Sequence, residues 1–157
     1  LSVQKFMLQH EFAKLAAARG LDAALLDQTA CASLMDEVLM VWAKPDSNPR
    51  CPPPHTTGAA IDLTIIDADG QLLEMGSDID AIGRISLPNY FAGQAGAEER
   101  RYHRHRELLN QVMSGVGFRR LPHEWWHFSY GDQVWALLEW LDDPEEQVYP
   151  IYGRVDA

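Results

Sequence analysis

Two short segments about sixty residues apart constrain this chain more than any other feature. The first, Pro54-His55-Thr56-Thr57-Gly58-Ala59-Ala60-Ile61-Asp62, sets an imidazole and a carboxylate seven residues apart with a glycine between them. The second, Glu124-Trp125-Trp126-His127, sets a carboxylate and an imidazole three apart. His55, Asp62 and His127 make a ligand set for one zinc ion, because a catalytic zinc takes three protein ligands and keeps a position open. Glu124 then suits a general base beside a metal-bound water. A fold that serves this chemistry must bring both segments to one point. Each pair is weak by itself: Glu124 and His127 alone read as readily as a surface salt link beside two core tryptophans.

Composition narrows the rest. A chain of 157 residues with 46% apolar and 23% charged residues can bury a core as a single domain spanning 1–157. Its net charge of −10 argues against non-specific binding to nucleic acid or to an anionic membrane, since either needs a basic face, and leaves open only a small local patch. No apolar run reaches the length of a membrane span. Cys31 and Cys51 have no metal or redox spacing and read as ordinary thiols of a reducing compartment. Nothing resembles a signal peptide, so a cytoplasmic protein is expected, or a periplasmic one if an upstream signal has been removed. The chain starts at Leu1 and enters helical sequence at once, as a trimmed piece of a longer protein would. A homo-oligomer stays open as an alternative to a monomer.

Residues 2–19 read as a helix capped by Ser2 and stopped by Gly20, with Val3, Phe6, Met7, His10, Ala13 and Ala17 as its apolar face. His10 is read there as a packing residue rather than a ligand. More helix is expected from Asp22 to about Val41, burying Leu25, Leu26, Thr29, Leu34 and Val38. Five prolines within residues 44–54 make a stiff connector that delivers His55 to a fixed place.

A strand is expected over residues 60–66, with Ile61, Leu63 and Ile65 on the core and Asp62 facing a cleft. Seven is odd, so His55 and Asp62 cannot share a face of one strand; the chain must turn between them, which Gly58 permits. Asp69-Gly70 signals a hairpin returning through Gln71–Met75. Residues 76–96 read as a long irregular loop, often a functional feature.

A helix is expected over residues 97–114, with Leu108, Leu109, Val112 and Met113 as its apolar side. Its first half, Glu98 to Glu107, reads as a solvated face of mixed charges. His103 and His105, two apart on a helix, point away from each other and cannot share an ion. A strand follows over residues 117–121, and a second through His127, where Trp126, Phe128 and Tyr130 alternate with His127 and Ser129. The tail, through Val148–Tyr152, is expected to cover the core.

The segments His55–Thr64 and Glu124–His127 together resemble the D-alanyl-D-alanine dipeptidases of the VanX type, zinc peptidases with the Hedgehog/DD-peptidase fold. The resemblance spans about residues 2–130 and implies zinc ligation by His55, Asp62 and His127, with Glu124 as catalytic base. Glu74-Met75-Gly76-Ser77-Asp78-Ile79-Asp80 is similar to the family loop whose last aspartate receives the substrate's free amine, which implies that role for Asp80. The double tryptophan favours dipeptidases over the related carboxypeptidases.

Two departures matter. Pro53 stands where the family has a substrate-contacting serine. The family's transition-state arginine, from a Tyr-Arg-Pro segment, falls just before Leu1 when Val3–Met7 is aligned, and no residue of this chain matches it. If the chain begins at Leu1, catalysis is expected to be crippled even with zinc bound.

The expected architecture is α+β, a small, mainly antiparallel sheet flanked by helices around one zinc. The expected reaction is hydrolysis of D-Ala-D-Ala, or a similar short D-amino-acid dipeptide, to free amino acids in cell-wall turnover. Its rivals are a D,D-carboxypeptidase or murein endopeptidase of the same fold, a non-catalytic zinc-stabilised binding module, and a metal-free globular domain.

Overall fold

The computed structural model describes residues 2–45, 48 and 50–154, with the side chains of Ser2 and Val3 excepted. The expected capping by Ser2, the place of Val3 in the first helix's stripe and part of the proline connector lie outside the described residues. Among the described residues, four helices and a three-stranded antiparallel sheet give an α+β fold. Its contacts divide into two compact units, residues 1–47 and 48–157.

In the first unit, α1 (Ser2–Ala18) packs on α2 (Gln28–Val38). Asp27 caps α2 by accepting the Ala30 amide, and Leu34 and Val38 are buried as expected. The helix starts at Gln28 rather than Asp22, because a turn closed from Asp22 to Leu25 precedes it; Leu25 is left exposed. The expected face of α1 is also corrected. Phe6, Met7 and His10 are exposed, and Glu11 and Ala16 are buried instead. Apolar residues ring this helix, so periodicity alone did not select a side.

In the second unit, Pro54–Thr57 forms a 3-10 turn closed by Gly58 in the left-handed region, φ 71°. The chain then enters β1 (Ala60–Asp62). The sheet order is β1-β3-β2, with β3 (His127–Ser129) central and β2 (Arg119–Arg120) on the far edge. The strands are shorter than expected. After Asp62 the chain makes the Asp67–Gln71 turn, closed by the Ile66–Leu72 bridge, so the hairpin exists without a full returning strand. Ile61 is 48% exposed rather than in the core, while its cross-strand partner Phe128 is buried. The difference is position: β1 is an edge strand and β3 the middle one.

Helix α3 (Ala97–Ser114) has the expected bounds, and its inward side matches the expected one only in part. Leu108 and Val112 are largely exposed, and Arg106 and Leu109 are buried. The reading of Glu98 to Glu107 as a solvated face therefore fails at Arg106. Helix α4 (Gln133–Asp142) was not foreseen; Asp132, buried, caps it through the Trp135 amide. Helices α3 and α4 both pack against β2. The tail hydrogen-bonds Gly131 through the amides of Ile151 and Tyr152, yet both side chains stay exposed, so it docks without covering the core.

Candidate active site

The antiparallel ladder builds most of the site. Asp62 on β1 and His127 on β3 are cross-strand partners. The amide of Leu63 donates to Trp126, so the adjacent pair Asp62–His127 is a rung without hydrogen bonds of its own, where side chains stand closest. Ala60 and Ser129 are partners on the same face. His55 comes from the 3-10 turn before β1, aimed by the reversal at Gly58 that the odd spacing demanded.

The result is a triangle of candidate ligands. His55 Nε2 lies 3.1 Å from His127 Nδ1 and 3.2 Å from Asp62 Oδ2, and His127 Nδ1 lies 3.1 Å from Asp62 Oδ1. Ligands about 2.0–2.1 Å from one tetrahedral ion are separated by about 3.3 Å, so these edges match a single zinc-sized site. Two further observations fit a cation. Asp62 Oδ1 is buried without a well-directed hydrogen bond, despite the nearby imidazole. Two imidazole nitrogens also face each other with a carboxylate between them, a donor set suited to a divalent ion. The three residues could together hold a metal.

Electrostatics around the triangle are strongly coupled. Burial pushes the Asp62 carboxyl upward, but the two imidazoles outweigh it and hold the group well below the usual carboxylate range. Contact with Asp62 raises His55 against its own burial. Glu124 is 6% exposed, and its Oε2 lies 3.5 Å from His127 Nδ1. Desolvation, reinforced by the negative charges of Asp62 and Asp80, pushes its carboxyl up to about 8. Asp80 is thus near enough for its charge to act on the base, and it is the one non-glycine residue with positive φ, 65°, among the described residues.

Ser129 and Arg106 were not singled out in the sequence. Ser129 Oγ lies 3.4 Å from His127 Nε2, the ring nitrogen that does not face the triangle. Such a partner fixes ring orientation and tautomer. Pro53 offers no hydroxyl, and its carbonyl accepts from the Thr56 amide and hydroxyl. A cavity of about 700 Å³ is lined by Thr64, Ser77, Asp78, Ile79, Tyr102 and Trp125 among others, and none of His55, Asp62, Glu124 or His127 lines it.

The profile of a family described as D-ala-D-ala dipeptidase matches residues 1–148. The chain belongs to the D-Ala-D-Ala dipeptidase family. A D-alanyl-D-alanine dipeptidase of Synechocystis sp. is 43% identical over 162 aligned positions, which cover 99% of this chain and 66% of the relative. Those of Escherichia coli and Enterococcus faecalis are 39% and 35% identical over about half of this chain, covering 36% and 37% of their own lengths. The chain thus spans about two thirds of the Synechocystis relative. The family is one of metallopeptidases, and its membership agrees with the His55–Asp62–His127 triangle.

Proposed function

We propose that this chain carries the catalytic centre of a zinc-dependent dipeptidase acting on D-Ala-D-Ala or a similar short dipeptide. The observation that carries the proposal is the convergence of His55, Asp62 and His127 on one point with the buried Glu124 carboxylate beside it. The dipeptide substrate comes from the names of the relatives. Hydrolysis would serve cell-wall dipeptide turnover in the cytoplasm.

His55, Asp62 and His127 would hold the ion, and Ser129 would orient the His127 ring from its far nitrogen. Zinc, when bound, supplies a Lewis acid for the scissile carbonyl and acidifies water. Glu124 Oε2 takes the proton of the attacking water and passes it to the departing amine. A carboxylate with a raised pKa suits both halves of that shuttle. With the site loaded, Glu124 would titrate below its metal-free value and be ionised as a base. Asp80 receives the substrate's free ammonium, which rewards a dipeptide over a blocked or longer peptide.

Comparing D-Ala-D-Ala with N-acetyl-D-Ala-D-Ala tests this reading. The free dipeptide is expected to be cleaved with kcat/KM about 100-fold or more above the blocked one. Cleavage of the blocked substrate alone would remove Asp80 from its role and favour a carboxypeptidase of the same fold.

A further inference from the structure

Arg106 is fully buried in α3, where its neighbours in sequence are charged and exposed or half-exposed. Burial pulls its guanidinium down to about 10, which still leaves it a cation at neutral pH. The structure shows how that charge is accommodated. Nε donates to the Met75 carbonyl at 2.7 Å, and Nη1 donates to the carbonyls of Leu87 and Ile85 at 2.9 and 3.1 Å. Nη2 donates to Ser77 Oγ at 3.2 Å. The guanidinium also lies over the Phe91 ring, 4.8 Å from its centroid, and near the Trp125 ring at 5.3 Å.

These contacts share one geometry. Met75 and Leu87 lie on either side of Asp80 in the irregular stretch that carries it, and one side chain ties both. The same segment is joined to the Glu124-Trp125 backbone: Trp125 Nε1 donates to Ser77 Oγ at 2.9 Å, and the Trp125 amide donates to the Ser86 carbonyl at 3.0 Å. Gly76, φ 80°, is pressed on the Phe91 ring under the guanidinium. Asp80, at the middle of the segment, holds a left-handed backbone that persists only where its surroundings enforce it.

We propose that Arg106 is a positioning residue for the dipeptidase: by closing the 75–87 segment at both ends and bracing Trp125, it fixes where Asp80 stands relative to Glu124. This rests on the function proposed above, with Asp80 as the amine-binding group. A lysine in its place keeps the charge but cannot present the guanidinium's planar fork to the same acceptors. Ser77 gives a milder perturbation, since its hydroxyl serves both Arg106 and Trp125.

Steady-state kinetics on D-Ala-D-Ala, amide hydrogen exchange over residues 76–87 and zinc content, measured on R106K, S77A, D80N and R106K/D80N, test the proposal. The expected result for R106K is unchanged zinc, a KM raised about 10- to 100-fold, a kcat lowered less than about threefold, and faster exchange over 76–87. S77A is expected to shift KM and exchange in the same direction by less. R106K/D80N is expected to be no worse than D80N, because both changes remove one contact. Effects of R106K that add to those of D80N, or unchanged exchange in the variants, would overturn the proposal. Should R106K fail to fold, S77A and S77A/D80N carry the same comparison. Exchange needs no turnover, so failure of the full-length wild-type protein to hydrolyse D-Ala-D-Ala would refute the dipeptidase reading, whereas unchanged exchange would refute the part of Arg106 alone.

Discussion

Asp62 and His127 stand on one rung of the β1–β3 ladder, so backbone hydrogen bonds on either side set the separation of two candidate ligands. His55 lies outside the ladder and is placed by the 3-10 turn and Gly58 that feed into β1. A metal bound here therefore joins a turn to a sheet whose spacing is already set.

Glu124→Gln separates binding from chemistry. The amide keeps the shape of the side chain but accepts no proton, so kcat is expected to fall about 10²- to 10⁴-fold with zinc content and KM little changed. Steady-state kinetics with metal analysis on the same sample check this. Unchanged turnover would discard Glu124 as the base.

Ser129→Ala removes the hydroxyl facing His127 Nε2 while leaving the three ligands in place. Zinc affinity is expected to drop about 10- to 100-fold, measured by competition with a chelator, with the circular dichroism of the fold unaltered. An affinity equal to wild type would show that the hydroxyl does not orient the ring.

The metal-free protein should lose stability as pH rises from about 5 to about 8. Glu124 has a folded pKa of about 8 against an ordinary 4.5, so the folded state keeps a proton that the unfolded chain has released. That contribution is complete below pH 4.5 and is lost as pH climbs through the folded value. His55, raised from 6.5 by Asp62, acts in the same direction but only above pH 6.5. Thermal melts of chelated Glu124→Gln are therefore expected to be flat between about pH 5 and 6.5, where the wild-type melting temperature falls. The same slope in both proteins would contradict the assignment.

Two glycines of the same backbone sign should respond differently. At Gly76 a Cβ would meet Phe91 ring carbons at 2.4 and 2.6 Å and Tyr102 at 2.7 Å, whereas at Gly70 nothing lies within 4 Å. Gly76→Ala is expected to cost about 2–4 kcal/mol by combined crowding and backbone strain, and Gly70→Ala about 1 kcal/mol by strain alone. Denaturant midpoints compare them directly; equal losses would mean that the Phe91 contact yields freely.

The parts of the site legible in the sequence were those that chemistry makes rare. Two imidazoles, two carboxylates and a turn at glycine, each pair weak by itself, pointed to His55, Asp62, His127 and Glu124 only in combination and with the family resemblance, and the two imidazole nitrogens lie 3.1 Å apart. The partners that orient those groups were not legible. Ser129 looked like one residue of an alternating strand, and Arg106 sat among charged neighbours whose pattern is that of a solvated helix. What buries Arg106 is a set of backbone carbonyls from a segment some twenty to thirty residues upstream, and such acceptors leave no trace in residue types. The outward turn of Ile61 and Leu108 had the same origin: apolar periodicity tells which residues share a face, and the neighbouring elements decide whether that face is covered.

The central claim is that His55, Asp62 and His127 hold one zinc ion, and elemental analysis of protein purified without chelator tests it most directly. The expected result is one zinc per chain in the wild type and none in a folded His127→Ala variant. A wild-type protein free of zinc, or a variant that keeps it in full, would contradict the account.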